Sequence, residues 1–392
     1  MARDQSEEAG RPRPDQLAID IAVLTYEEKL DRRAVGRALG VDPKTVAAYL
    51  RRARGGLVAL RVEDPTAPVI DRAIGARLEA LRGIRTVIAV KVNPPVAEVD
   101  SAEAHAAHSV ELHRQLANAA AWFLWDHLRN GDRIAVGPGR GVRFTVDALS
   151  ERKDARPRSF SGQSVVSTMG NPIVPSDRPL NVFEADAIAA ALGSVLGVEG
   201  TRIKRVGLPY VANRPAAQLR ALGNRLMDRA WDKDGIPDIA IIGLGVLHPR
   251  HHLLASWRTD EQLRPVHRIL EQIEETVLPA CKTAIADVGD RFWLRQGALD
   301  GERAETARRL VEALNSKIVA VPPAKLDQTW EKVLVAGGAA KYPAMLSYVR
   351  QLHTNEVGVQ ATVLVTDATT ARQVVDDLNA PADDGATGPA LT

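Results

Sequence analysis

Short apolar runs recur along most of the chain, and most are followed by a longer stretch in which apolar residues return every three or four positions. IRTVIAVKV (Ile84–Val92), DRIAVG (Asp132–Gly137), DIAIIGLG (Asp238–Gly245), SKIVAVP (316–322), KVLVAGG (332–338) and ATVLVTD (361–367) have the length and near-continuous apolarity of strands buried on both faces. Between them, helices are predicted over the Ala-rich run Ala102–Leu128, VRFTVDAL, FEADAIAAALGSVLG, Pro343–Leu352 and Thr369–Leu378. Strands alternating with helices predict a doubly wound α/β domain built on a parallel sheet. VVSTMGNP (Val165–Pro172) reads as a loop.

The first sixty residues follow another pattern. RRAVGRALGVDPKTVAAYLR (Arg32–Arg51) predicts a helix–turn–helix: Val35 and Leu39 stripe one helix, Val46 and Leu50 the next, and Gly40 marks the turn. Asp42 is a suitable N-cap, and Pro43 at the first helical position forgoes only an amide without a helical partner. Gly36 leaves room for two closely crossing helices. Leu17–Thr25 is a further helix candidate, and LVALRV after Gly55-Gly56 a wing or return strand. EDPTAP has two prolines and no apolar period. The predicted organisation is therefore a disordered 1–14, a helix–turn–helix domain 15–62, a linker 63–68, an α/β domain 69–379 and a disordered tail 380–392.

Net charge changes the picture only locally. The 392 residues carry +2, yet Lys29–Arg61 contains nine basic residues against two acidic ones, an excess of seven. That balance suits neutralisation of DNA phosphates; a solvated basic helical pair packing on its own protein is the alternative. Lys44, Thr45 and Ala48 are the candidates for base contact, Ala48 against a thymine methyl, while Arg51, Arg52 and Arg54 are the candidates for the backbone. One cysteine, Cys281, excludes an intrachain disulfide, and no apolar run approaches a membrane span. A cytoplasmic protein is expected.

In an open α/β sheet, ligands bind beyond the carboxyl ends of the strands. Gly137, Gly139, Arg140 and Gly141 follow one predicted strand and open a helix, an arrangement suited to an anion or to a tight turn alone. Gly337, Gly338 and Lys341 follow another, placing an ammonium within reach of a phosphate unless it is simply a solvated lysine. Ser167, Thr168 and Gly170 offer hydroxyls and an amide, or ordinary turn polar groups. His105, His108 and His113 share one helix, and His248, His251 and His252 follow the GLG strand end, where they could line the pocket; both groups read as polar surface rather than a metal set. No cofactor and no metal are expected.

Taken in order, these motifs resemble the bacterial transcriptional regulators of the SorC type, the sugar-binding DeoR-like group. The resemblance runs from about Leu17 to Leu378 and rests on the helix–turn–helix and following strand, VGPGRG, MGN with Asn181 and Asp186, LPYVA after Arg205, IIGLG, ADVGDRFW, and VAGGAAK with LVTDATTA. It implies an N-terminal, winged-helix-like DNA-binding domain. It also implies a larger domain resembling sugar-phosphate isomerases and deaminases, used as a sensor of a phosphorylated sugar or related metabolite. Operator DNA and a homodimeric or homotetrameric assembly are the implied partners.

By motif position the resemblance adds Asp287 and Arg291 to the glycine loops, Ser167, Thr168 and Lys341 as effector-binding residues. Three slots depart from the family pattern. Asp42-Pro43 and Ala47-Ala48 stand where Ser-Arg pairs are usual, and Ala286 replaces a glycine. A competing expectation is a sugar-phosphate isomerase or deaminase with an appended basic module, with Asp287 or Asp367 as its base. Asp367 reads equally well as a helix N-cap. A third is an interaction protein that binds no DNA.

Overall fold

The computed structural model describes residues 21, 24, 31–52, 68–82, 84–92, 102–155, 158–170, 183–204, 211, 235–248, 251, 253–254, 257–289, 291–352 and 359–380. The chain divides into two compact units, Met1–Ala67 and Pro68–Thr392. Among the described residues no helix is long and apolar enough to cross a membrane.

In the smaller unit, Asp31 caps helix α1 (Arg32–Leu39) by accepting the amides of Arg33 and Ala34, each at 2.8 Å. The helix stops at Gly40, whose φ of 65° is left-handed and costs a residue without Cβ little. Two residues on, Asp42 accepts the Lys44 amide at 2.6 Å and α2 (Pro43–Arg52) begins. A Cβ at Gly36 would sit 2.6 Å from the Val41 carbonyl oxygen, so the turn closes only over glycine. Val35, Val46, Leu50 and Ile21 are buried together, with Leu24, Leu39, Val41 and Tyr49 against them. The two helices and the Gly40 turn expected from the apolar stripes are present. Ile21 and Leu24 are helical; the rest of the Leu17–Thr25 candidate, LVALRV, residues 63–67 and both predicted disordered ends lie outside the described residues, apart from Ala380.

The larger unit is built on β1 (Thr86–Val90), β2 (Arg133–Val136), β3 (Ser164–Ser167), β4 (Ile203–Lys204), β5 (Ile239–Val246), β6 (Ile285–Val288), β7 (Arg291–Leu294), β8 (Glu331–Val335) and β9 (Val363–Asp367). Seven strands run parallel in the order β1-β9-β8-β5-β2-β3-β4. The far half of β5 continues past its parallel partners and takes up the β6–β7 hairpin in antiparallel pairing.

Successive residues of each strand enter opposite cores, as a pleat buried on both faces demands. Ile88, Ile134, Ile241 and Val333 meet α4 (Ala102–His127), α5 (Arg140–Ala155) and α6 (Ala185–Leu196) on one face. Ala89, Ala135, Ile242 and Leu334 face the other core, with α3 (Arg72–Arg82), α8 (Tyr342–Gln351) and α9 (Ala368–Asn379). A third apolar cluster joins the hairpin residues Ile285 and Phe292 to α7 (Gly301–Asn315). The doubly wound α/β fold is as the alternation predicts.

Two segments differ from expectation. SKIVAVP is not a strand: Ile318 and Ala320 form single bridges to Val211 and Met169. Its backbone is committed to irregular partners, because Val319 accepts the Gly170 amide and Val321 donates to the Thr168 carbonyl. Conversely, Val165–Ser167, expected in a loop, belongs to β3. The chain steps from β2 outward to β3 and β4, then returns to place β5 on the other side of β2 and proceeds to β8 and β9. The winding direction therefore reverses between β2 and β5, the position at which open α/β sheets hold ligands in a crevice at the carboxyl ends of their strands.

Candidate functional site

Two glycine loops border this crevice. After β2, the Gly137 amide donates to Ile241 and the Gly139 amide to Phe183, so the loop is pinned before α5 starts at Arg140. A Cβ at Gly141 would lie 3.3 Å from the Val335 carbonyl oxygen, and its absence lets this helix start draw close to the end of β8. The amides in the first turn of α5 have no acceptor within the helix and direct partial positive charge outward. Arg140 is exposed there, its guanidinium 5.9 Å from the centre of the Phe183 ring.

The second loop follows β8. Gly338 has φ 91°, a left-handed conformation, and its amide donates to Asp367 Oδ2 at 2.7 Å and Thr370 Oγ1 at 3.2 Å. This fixes the backbone from which Lys341 projects, one residue before α8. Burial pushes the Lys341 ammonium below its ordinary range; Asp287 opposes that shift and Arg140 adds to it. Among the described residues its ammonium has neither a hydrogen bond nor an ion pair at contact distance. Asp287 arrives from β6 over Gly245, where a Cβ would stand 2.1 Å from Oδ1. The hairpin thus contributes the acid and the loop after β8 the base.

Thr168 closes the floor. Among the described residues its buried Oγ1 has no hydrogen-bond partner, and the position a Cβ would take on Gly137 is 3.5 Å away. Neighbouring groups serve the frame instead: the Ser167 hydroxyl donates to Asp186 Oδ1, and the Gly170 amide donates to Val319. Arg291 donates from its two terminal nitrogens to the carbonyls of Asn315, at 3.1 Å, and Ala320, at 2.8 Å. It ties the hairpin to the segment beneath the Thr168 turn. Asn171 and Asn181 lie outside the described residues.

One residue at the crevice was read from sequence as surface. His113 is half-buried on α4, its Nδ1 2.5 Å from the Ser109 carbonyl. Its pKa is held below 6.5, first by burial and then by Lys341 and Arg140. Leu112 and Leu116 of the same helix fill the space beside Gly338 and Gly337, which sets His113 at the lysine loop. The spacing of three histidines signalled a metal test but not this placement. His248 is exposed, while the His251 ring is edge-on to Phe292 at 6.0 Å. Side-chain positions for His105 and all of His252 lie outside the description. Among the described residues no group of three His, Cys, Asp or Glu side chains could hold a metal ion.

In the smaller unit, Lys44 and Ala48 are exposed on α2 and Thr45 is half-buried. Arg51 and Arg52 are helical in backbone, with side chains outside the description, as is all of Arg54.

No family model matches the chain. The chain is 23% identical over 369 residues to the deoxyribonucleoside regulator of Bacillus subtilis, covering 93% of this chain and 98% of that protein. The structure resembles the full-length sorbitol operon regulator SorC from Klebsiella pneumoniae with a TM-score of 0.52 at 19% identity, over 92% of this chain and 99% of the other. It also resembles a domain of a possible sugar-binding transcriptional regulator from Arthrobacter aurescens TC1, TM-score 0.52 at 18% identity, over 78% and 97% of the two chains. The resemblance to SorC-type regulators drawn from motif order is borne out by these similarities.

Proposed function

We propose that this chain is a DNA-binding transcriptional regulator whose operator affinity is set by a phosphorylated sugar or related metabolite held in the crevice. The observation that carries the reading is the convergence of Arg140, Lys341 and the first turn of α5 near the Thr168 hydroxyl, which has no hydrogen-bond partner among the described residues. Arg140 lies close enough to Lys341 to disfavour its charge, so the two cations repel when the crevice is empty. A dianionic group satisfies both, and the helix amides and Thr168 add donors. Asp287 then suits a sugar hydroxyl or the lysine itself. The names of the similar proteins, a sorbitol operon regulator and a deoxyribonucleoside regulator, support the same class of ligand.

On the DNA side, α2 enters the major groove with Lys44, Thr45 and Ala48 toward base edges, while Arg51, Arg52 and Arg54 hold phosphates. The protein acts in the cytoplasm as a homodimer or homotetramer, because paired helices read paired half-sites. Regulation requires an effector that binds the DNA-competent and DNA-incompetent states unequally.

An isomerase or deaminase is less well supported. Both oxygens of Asp367 are engaged by the amides of Gly338 and Thr370, the arrangement of a cap rather than a base. The test is binding to duplex DNA from upstream of its own gene, against random DNA, at physiological salt, followed by a screen of sugar phosphates. Sequence-preferring binding altered by a sugar phosphate supports the reading. Equal weak binding to both duplexes, unchanged by any sugar phosphate, or steady turnover of one, overturns it.

A further inference from the structure

We propose that His113 is the proton-linked member of the cradle: its Nε2 contacts the bound anion, and the imidazole takes up one proton from solvent as the anion enters. This rests on the anion reading of the crevice and adds a residue and a mode of control to it. The geometry is specific. Nδ1 is 2.5 Å from the Ser109 carbonyl, which fixes it as the donor nitrogen. Nε2 therefore carries the lone pair in the neutral ring, and among the described residues it has no hydrogen bond. The Phe144 ring of α5 stands edge-on at 6.3 Å, Phe183 stands edge-on to Phe144 at 6.4 Å, and Arg140 lies over Phe183. A run of aromatic contacts thus joins the imidazole to the arginine, while Leu112 and Leu116 seat its helix on the lysine loop.

The charged groups around the ring are Arg140 from α5 and Lys341 from the loop before α8. Asp287 of β6 acts on that lysine from the hairpin. With the crevice empty, two cations and burial favour the neutral ring. A dianion reverses the local field, so protonation turns Nε2 from an acceptor into a donor aimed at negative oxygen. By linkage, the anion binds more tightly as pH falls through the window between the bound-state and empty-state pKa values. The limit is about tenfold per pH unit for one proton.

The experiment uses the full chain with 13C-labelled histidine, titrated from about pH 5 to about pH 8.5 with and without saturating sulfate, whose charge is constant over this range. The chain has nine histidines, and the His113 signal is assigned by its loss in His113→Gln. Sulfate affinity is measured across the same range for both proteins. The expected result is an upward shift of the His113 midpoint on saturation and an affinity that rises as pH falls. His113→Gln should still bind sulfate with that slope flattened. Saturable sulfate binding with an unmoved His113 midpoint overturns the proton link and leaves the anion reading standing. Failure of sulfate and of every sugar phosphate in the screen to bind at any pH overturns the two together.

Discussion

Asp367 reaches back from the end of β9 to hold Gly338: its Oδ2 accepts the Gly338 amide at 2.7 Å while Oδ1 accepts the Thr370 amide at 2.8 Å. One buried carboxylate thereby caps α9 and fixes the loop that presents Lys341. Asp367→Ala leaves the Gly338 amide with only the longer contact to Thr370 Oγ1 and removes the cap on the Thr370 amide, a combined loss of about 1–3 kcal/mol. Urea unfolding should show it as a lower midpoint with an unchanged slope. A midpoint equal to wild type would contradict this account of the loop.

Gly337 is hemmed in on two sides. A Cβ there would lie 2.6 Å from Asp367 Oδ2 and 2.8 Å from Leu116 Cδ1. Gly337→Ala should therefore cost about 1–3 kcal/mol through overpacking. Because relief displaces the Asp367 contact, sulfate affinity should fall together with stability. Thermal melts and sulfate titration of the same sample check both.

Lys341→Ala should weaken sugar-phosphate response by about ten- to a hundredfold, the range of a lost charge-assisted hydrogen bond. DNA affinity without effector should be unchanged. Loss of DNA binding in a folded Lys341→Ala protein would show that the lysine serves something other than the effector.

Lys44 is exposed on α2 ahead of the cluster of arginines. If it meets a phosphate or base, Lys44→Ala should weaken DNA binding and lower the slope of log affinity against log salt by about one. Fluorescence anisotropy at several salt concentrations measures the slope. A slope and an affinity both identical to wild type would remove Lys44 from the interface.

His113 also makes a pH prediction for the empty protein. Its folded pKa lies below the unfolded 6.5, chiefly through burial. Between the two values the unfolded chain binds more protons, so stability is fully present above the unfolded pKa and falls as pH drops below it. His113→Gln should flatten that limb, and saturating sulfate should flatten it in the wild type. Denaturant midpoints across this pH range decide it.

The sheet was legible wherever strands are buried on both faces. KVLVA and DIAIIGLG are continuously apolar because neither face meets water, and no other period competes. SVVS was hidden because its four residues end in a polar Ser167 that turns to Asp186. SKIVAVP misled for the opposite reason. It is apolar enough for a strand, yet its backbone partners are an arginine side chain and the turn after β3. The β6–β7 hairpin, with Asp287 and Arg291 on its two strands, escaped the periodicity because four-residue strands give too few repeats.

The helix–turn–helix, the alternation of strands and helices, and the two glycine loops were determined by the sequence itself. Each depends on neighbours close along the chain: a cap, a left-handed glycine, a run of apolar residues. Only tertiary structure decided which polar residues share the crevice. Arg140, Thr168, Lys341, Asp287 and His113 come from five separate elements, and nothing local ties them together. The reversal of strand order between β2 and β5 brings the loops to one edge, where burial and neighbouring charge lower the pKa of both His113 and Lys341. Local spacing specifies elements; long-range packing specifies the electric field in which their side chains act.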